Sequence, residues 1–190
     1  MKLVILDRDG TINSDSDDFV KTPEEWVPLP GALEAIARLN HAGWHVVIAS
    51  NQSGLGRGLF DVASLNAMHA KMFKLLAAVG GRVDAVFYCP HSPEESCNCR
   101  KPLPGLFEQI GERFGVPLKG VPAAGDSVRD LLAGASAGCE PHLVLTGKSA
   151  RYRAGGQPDG LPAGTLLHQD LSAFADFLLE RSARSLPVAI

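Results

Sequence analysis

Two carboxylates two residues apart, Asp7 and Asp9, stand where a short apolar run ends, and a Gly-Thr pair follows them. Acidic groups this close repel unless a cation sits between them or one keeps a proton, so the spacing implies either Mg²⁺ or a split pair of pKa values. A second group is soft: Cys89, His91, Cys97 and Cys99 put three thiols and one imidazole into a single short stretch. Four donors of that kind make a closed tetrahedral Zn²⁺ site. The spacing departs from the C-x₂-C knuckle, so a free-thiol surface loop is the competing reading. With no ligand position left open, a zinc ion there would be structural, and it would fix Arg100 and Lys101, which follow the last ligand directly. Cys139 stands apart and reads as an ordinary buried thiol.

These groups can act together only if the fold carries them to one place. Residues 2–6, KLVIL, read as a strand buried on both faces, which sets Asp7 and Asp9 at its carboxyl end, where open α/β sheets bind ligands. Gly10 admits a positive φ there, so the chain can leave without blocking the crevice. Further strands are expected at 44–49, 83–88, 121–124, 142–145 and 165–167, and helices at 31–40, 62–79, 105–114, 127–137 and 171–182. Asp61 is the expected N-cap of the second helix, and Met68 and Met72 on its apolar stripe read as core filler. This alternation predicts an α/β fold, a doubly wound parallel sheet with helices on both faces.

Residues 12–30 are too polar and too rich in proline for a core element and are expected as a loop over the first strand's end, placed to touch substrate. Residues 50–59 and 146–164 also read as loops, the second long, glycine-rich and mobile. Ser50 and Asn51 close the second strand and bring a hydroxyl and backbone N–H groups to the crevice, donors suited to a phosphoryl oxygen. Gly125-Asp126 closes the 121–124 strand and adds another acid.

The 190 residues and 45% hydrophobic content fit one domain over residues 1–190. A net charge of −3 argues against broad nucleic-acid or membrane-surface binding. The first strand carries no signal-peptide pattern and no apolar run is long enough to span a bilayer, so a cytoplasmic protein is expected. Without an obvious apolar stripe, monomer is the default.

DRDGT after an apolar strand resembles the first motif of the haloacid dehalogenase superfamily of phosphohydrolases. The resemblance implies that Asp7 is a nucleophile, that Asp9 is a general acid and base, and that Ser50 supplies the second motif. It further implies that Lys101 is the fixed positive charge of the third motif, and that Asp126, Asp7 and the backbone carbonyl of Asp9 hold Mg²⁺. Asp130 is expected to support this set without being a ligand. The superfamily can insert a cap domain in either of two intervals; both are filled here by core elements, so no large cap is expected and short loops must select the substrate.

The motifs DRDGT-I, SNQSG-x-x-RG, C-x-H…C-x-C-R-K-P and GDS-x-x-D together are similar to one branch, which holds heptose 1,7-bisphosphate 7-phosphatases and histidinol-phosphate phosphatases. The loop and the SNQSGLGRG run resemble the heptose enzymes more closely. That likeness implies removal of the C7 phosphate in nucleotide-heptose and lipopolysaccharide core biosynthesis, from a small phosphorylated sugar lined by Asp15, Ser16, Asp17, Asp18, Ser50, Asn51, Gln52, Ser53, Arg57, Arg100 and Lys101. Ser127 departs from the Lys that those enzymes often carry. Histidinol phosphate remains the alternative substrate, and a non-catalytic zinc-stabilised binding module the alternative class.

Overall fold

The computed structural model describes residues 1–184; the last six residues of the expected 1–190 domain lie outside them. Six strands form one parallel sheet: β1 Lys2–Leu6, β2 Trp44–Asn51, β3 Ala85–Cys89, β4 Pro122–Gly125, β5 Glu140–Val144 and β6 Leu166–His168. Their order is β3-β2-β1-β4-β5-β6, so the winding reverses direction between β1 and β4. Loops leaving these two strands diverge to opposite faces and open a crevice at the carboxyl rim. Among the described residues no inserted domain covers it.

Alternation along β1 divides the core. Val4 and Leu6 face one cluster with Ile36 of α1 (Ala32–His41) and Met68 and Met72 of α3 (Val62–Ala78), into which Phe174 of α6 (Leu171–Arg184) also packs. Leu3 and Ile5 face the other, with Phe107 and Ile110 of α4 (Gly105–Phe114) and Ala133 of α5 (Val128–Ser136). The doubly wound α/β arrangement is as expected, and so are the core role of both methionines and the Asp61 cap, whose carboxylate accepts from Ser64 N at 2.8 Å.

Three segments differ from the sequence reading. β2 runs on to Asn51, and a short helix, α2 (Ser53–Gly56), occupies part of the expected 50–59 loop. Residues 147–152 form a 3₁₀ turn packed against the crevice, where a long mobile loop was expected. The 12–30 segment is a loop, yet Ile12 and Trp26 within it are fully buried in the main core. Lys71 of α3 holds it down by donating to the carbonyls of Pro23 and Trp26, both at 2.7 Å. Polar composition hides such anchors, because a few apolar side chains suffice to pin a loop most of whose residues reach water.

At the far edge of the sheet His142 and His168 share a hydrogen bond, Nδ1 to Nε2 at 2.9 Å, with Phe174 edge-on and Phe177 tilted against both rings. One nitrogen must donate and the other accept, so the two rings cannot both be protonated while this bond is kept. Burial lowers both to about 4; Glu140, paired with Arg181 and 3.3 Å from His142 Nε2, opposes the shift without cancelling it. The unfolded chain binds these protons near pH 6.5 and the folded chain only near 4, so stability is complete above about 6.5 and is lost as pH falls between the two values. Thermal melting from pH 7 to 4.5 should show this loss, and a His142→Asn/His168→Gln variant should show a shallower fall over the same window.

Candidate active site

The crevice is built around a buried lysine. Lys101, 2% exposed, donates from Nζ to Asp7 Oδ1 at 2.6 Å and to the Ala49 carbonyl at 2.7 Å, and lies 2.6 Å from Asp130 Oδ1. Its backbone is clamped as well: Lys101 N donates to Asn51 Oδ1 and Asn51 Nδ2 donates to the Lys101 carbonyl, each at 3.0 Å. Asn51 is thereby a brace between the end of β2 and the loop that carries the cation.

Asp7 leaves β1 with its N–H bonded to the Ala124 carbonyl of β4 at 2.8 Å, which puts it beside Asp126, just past the end of β4. The carboxylates of Asp7, Asp126 and Asp130 offer oxygens all within 4.8 Å of one another. Gly10, at φ 83°, allows this approach, since a Cβ there would overlap the Asp126 carboxylate. Gly147 is constrained in the same way from the other side. Asp130 is placed by Ser127, whose N–H and hydroxyl donate to Asp130 Oδ2 at 3.0 and 2.6 Å. Ser127 is the N-cap of α5, a local reason for Ser at this position.

Burial pushes Asp7 up to about 7, with Lys101 opposing and Asp130 and Asp9 reinforcing. Burial, then the charges of Asp130 and Asp7, push Asp126 up to about 8, although the Lys148 N–H donates to it at 2.7 Å. Burial would raise Asp130 too, but Lys101 outweighs it and holds this carboxyl below its ordinary value. In return Asp130 and Asp7 overcome the burial of Lys101 and keep it protonated. Ionised together, three carboxylates against one ammonium would leave two negative charges uncompensated in a buried place, which is why Asp7 and Asp126 hold protons so far up the pH scale without a cation. Hard oxygen donors with that deficit fit a divalent cation such as Mg²⁺.

Asp9 is held differently. Its carboxylate accepts from Arg8 Nη2 at 2.8 and 2.9 Å, from Asn13 Nδ2 at 2.8 Å and from Gln52 Nε2 at 2.7 Å. Burial alone would raise it, but the Arg8 charge and these donors outweigh burial and hold Asp9 below the usual carboxylate range. Gln52 Nε2 also donates to Ser50 Oγ at 2.8 Å, which links the end of β2 to Asp9.

A cleft of about 320 Å³ opens over these groups. Asp15, Ser16 and Asp17 line it from the 12–30 loop, Ser50, Asn51, Gln52 and Ser53 from β2 and α2, and Arg57 and Arg100 from its mouth. Asp18 does not; it is exposed, its N–H bonded to Ser16 Oγ at 3.2 Å. Sequence reasoning missed Arg129 and Lys148, which also line the cleft. Lys148 pairs with Asp15 at 2.6 Å and so ties the 147–152 turn to the substrate loop. The available signal was position: Thr146-Gly147-Lys148 follows β5, the neighbour of β4, and so belongs to the same rim.

The soft cluster is also assembled. Cys89 Sγ lies 3.4 Å from His91 Nδ1 and 3.8 Å from Cys97 Sγ, and Cys99 Sγ lies 3.4 Å from His91 Nδ1. Tetrahedral ligands at zinc bond lengths stand about 3.8 Å apart for two sulfurs and about 3.5 Å apart for sulfur and nitrogen. Cys89, His91, Cys97 and Cys99 could therefore hold Zn²⁺. Burial pushes Cys89 up to about 12, whereas backbone N–H groups of Arg100 and Cys99 help bring Cys97 down to about 7 against its burial. The loop supports both sides of the cleft: Gln52 N donates to the Cys89 carbonyl at 2.8 Å, Gly56 N to the Pro90 carbonyl at 2.9 Å, and Arg100 Nη1 to the His91 carbonyl at 3.3 Å.

Comparison with known proteins agrees with this construction. The polynucleotide kinase 3 phosphatase family model matches residues 2–125, and the HAD-hydrolase-like model matches residues 98–171. The D-glycero-beta-D-manno-heptose-1,7-bisphosphate 7-phosphatase of Bordetella bronchiseptica is 59% identical over 96% of this chain and 100% of its own length. The enzyme of the same name from Pseudomonas aeruginosa is 53% identical over 94% of this chain and 98% of its own. The crystal structure of the B. bronchiseptica D,D-heptose 1,7-bisphosphate phosphatase complexed with magnesium and phosphate superposes with a TM-score of 0.91 over 95% of this chain and 99% of that one. The chain belongs to the haloacid-dehalogenase-like phosphohydrolases and, within them, to the family of the D-glycero-beta-D-manno-heptose-1,7-bisphosphate 7-phosphatases.

Proposed function

We propose that the protein removes the C7 phosphate of D-glycero-D-manno-heptose 1,7-bisphosphate through a phosphorylated Asp7. The observation that carries this reading is the convergence of Asp7, Asp126 and Asp130 on one another, with Lys101 paired to Asp7 and Asp130, in a cleft that arginines also line. Identity above 50% along almost the whole of two relatives supports the substrate, and their names make the beta anomer the first to test.

Asp7 and Asp126, with the Asp9 carbonyl, would hold Mg²⁺, which when bound offsets negative charge on the phosphoryl group. Asp7 attacks phosphorus in line, and the bond to the sugar O7 breaks. Asp9, which must first take up a proton against the hold of Arg8 when the anionic substrate enters, gives that proton to the oxygen, so the leaving group departs as an alcohol rather than an alkoxide. Asp9 then takes a proton from water, the water oxygen attacks phosphorus, and the acyl phosphate breaks to free phosphate and restore Asp7. Lys101 holds a fixed positive charge against the phosphoryl oxygens throughout, and the Ser50 hydroxyl donates to them. Arg57, Arg100 and Arg129, with Asp15, Ser16 and Asp17 lining the same cleft, would take the sugar and its second phosphate. Among the described residues no helix is long and apolar enough to cross a membrane.

A phosphate-release assay in Mg²⁺ against both anomers of the heptose bisphosphate, histidinol phosphate and a 3′-phosphorylated oligonucleotide should give the highest kcat/KM for the beta heptose; a higher value for either of the last two overturns the substrate reading. Asp7→Asn should lower turnover at least ~10³-fold while leaving the melting temperature in Mg²⁺-free buffer unchanged or higher, because it removes one of the crowded buried charges. Stripping both metals and restoring Mg²⁺ alone should leave the protein destabilised by at least ~3 kcal/mol and largely inactive, and added Zn²⁺ should recover both properties.

A further inference from the structure

Arg8 sits between the two carboxylates of the first motif, and no part of it reaches solvent. Its Nε and Nη2 donate to the Asp9 carboxylate, which leaves the other terminal nitrogen, Nη1, as a buried donor pointing away from the cleft. That donor meets Nε2 of His69 at 3.3 Å. A guanidinium has no lone pair to offer, so His69 Nε2 must be the acceptor and the ring carries its proton on Nδ1. His69 is 8% exposed, lies in the middle of the long helix α3, and has the rings of Phe73 and Tyr88 beside it at 6.3 and 6.5 Å.

The geometry points to His69 as a positioning residue for proton donation to the leaving group: it acts through Arg8 to fix the direction in which Asp9 presents its carboxyl. A guanidinium is a rigid planar fork, so fixing Nη1 fixes the plane of Nε and Nη2 and hence of the carboxylate they hold. Without an acceptor at position 69, Nη1 would be an unsatisfied buried donor. The fork would then turn toward other partners and take Asp9 with it. Asn13 holds Oδ1 and Gln52 holds Oδ2, while Arg8 grips both oxygens, so a turn of Arg8 works against these two single contacts and shifts the plane of the carboxylate. This inference rests on the reading of Asp9 as the general acid.

Leaving groups separate this role from mere stabilisation. A sugar alkoxide needs the proton, whereas 2,4-dinitrophenolate leaves without it, and kcat/KM reads the steps through departure of the leaving group. His69→Leu should lower kcat/KM for the heptose bisphosphate ~10-fold or more while changing that for 2,4-dinitrophenyl phosphate less than about threefold. His69→Gln, whose amide oxygen can accept from Arg8, should restore most of the loss. If His69→Leu does not fold, His69→Phe keeps an aromatic ring in place and gives the same comparison. Equal losses on the two substrates, no loss on either, or a Gln variant as poor as the apolar one would each overturn the proposal. Asp9→Asn, measured alongside, separates the two readings: if it too loses activity equally on both substrates, the general-acid role itself fails; if only it discriminates between leaving groups, His69 alone is excluded.

Discussion

Everything in the crevice depends on one ammonium buried among acids. Lys101 touches Asp7, Asp130 and the Ala49 carbonyl at once, and so joins β1, β2 and the start of α5 through a single atom. Ion pairs of this kind are weak sources of stability, because removing both partners from water offsets much of their attraction. What they supply is geometry: four segments distant in sequence are forced to agree on the position of one nitrogen. The excess of carboxylates around it then makes the place attractive to a divalent cation and unsuited to a neutral ligand.

The second organising constraint is the Cys/His loop. It lies outside the cleft, yet its backbone accepts from Gln52 and Gly56 on one side and its last residues lead into Arg100 and Lys101 on the other. A soft metal there would act on phosphate chemistry only through position. This division of labour, one hard site that meets substrate and one soft site that fixes the walls, removes the need for a second domain to shape the cleft.

Much of this was legible in the chain because it is local. The apolar run before Asp7, the order of the six strands and five main helices, the Asp61 cap and the Cys/His cluster are each set by neighbouring residues and appear in the expected sequence, while the short helix α2 and the 147–152 turn do not. What was not legible depends on distant contacts. Lys148 reaches the cleft only because β5 lies next to β4; Arg129 lines it because α5 starts there; Arg8 is buried because α3 lies behind β1 and offers His69. Asp18 shows the reverse error, since its place in an acidic run suggested a contact that the turn at Ser16 directs toward water.

The 12–30 segment leaves the core after Ile12, touches it again at Val20 and returns at Trp26, and its two ends are zipped by Ser14 N to the Val27 carbonyl and Leu29 N to the Ile12 carbonyl, both at 2.9 Å. The span between is thus an interchangeable tip on a fixed stem. Related chains could diverge in the molecules they accept by rewriting residues 14–19 alone, with no cost to the sheet beneath, which gives selectivity and folding separate evolutionary handles within the same short stretch.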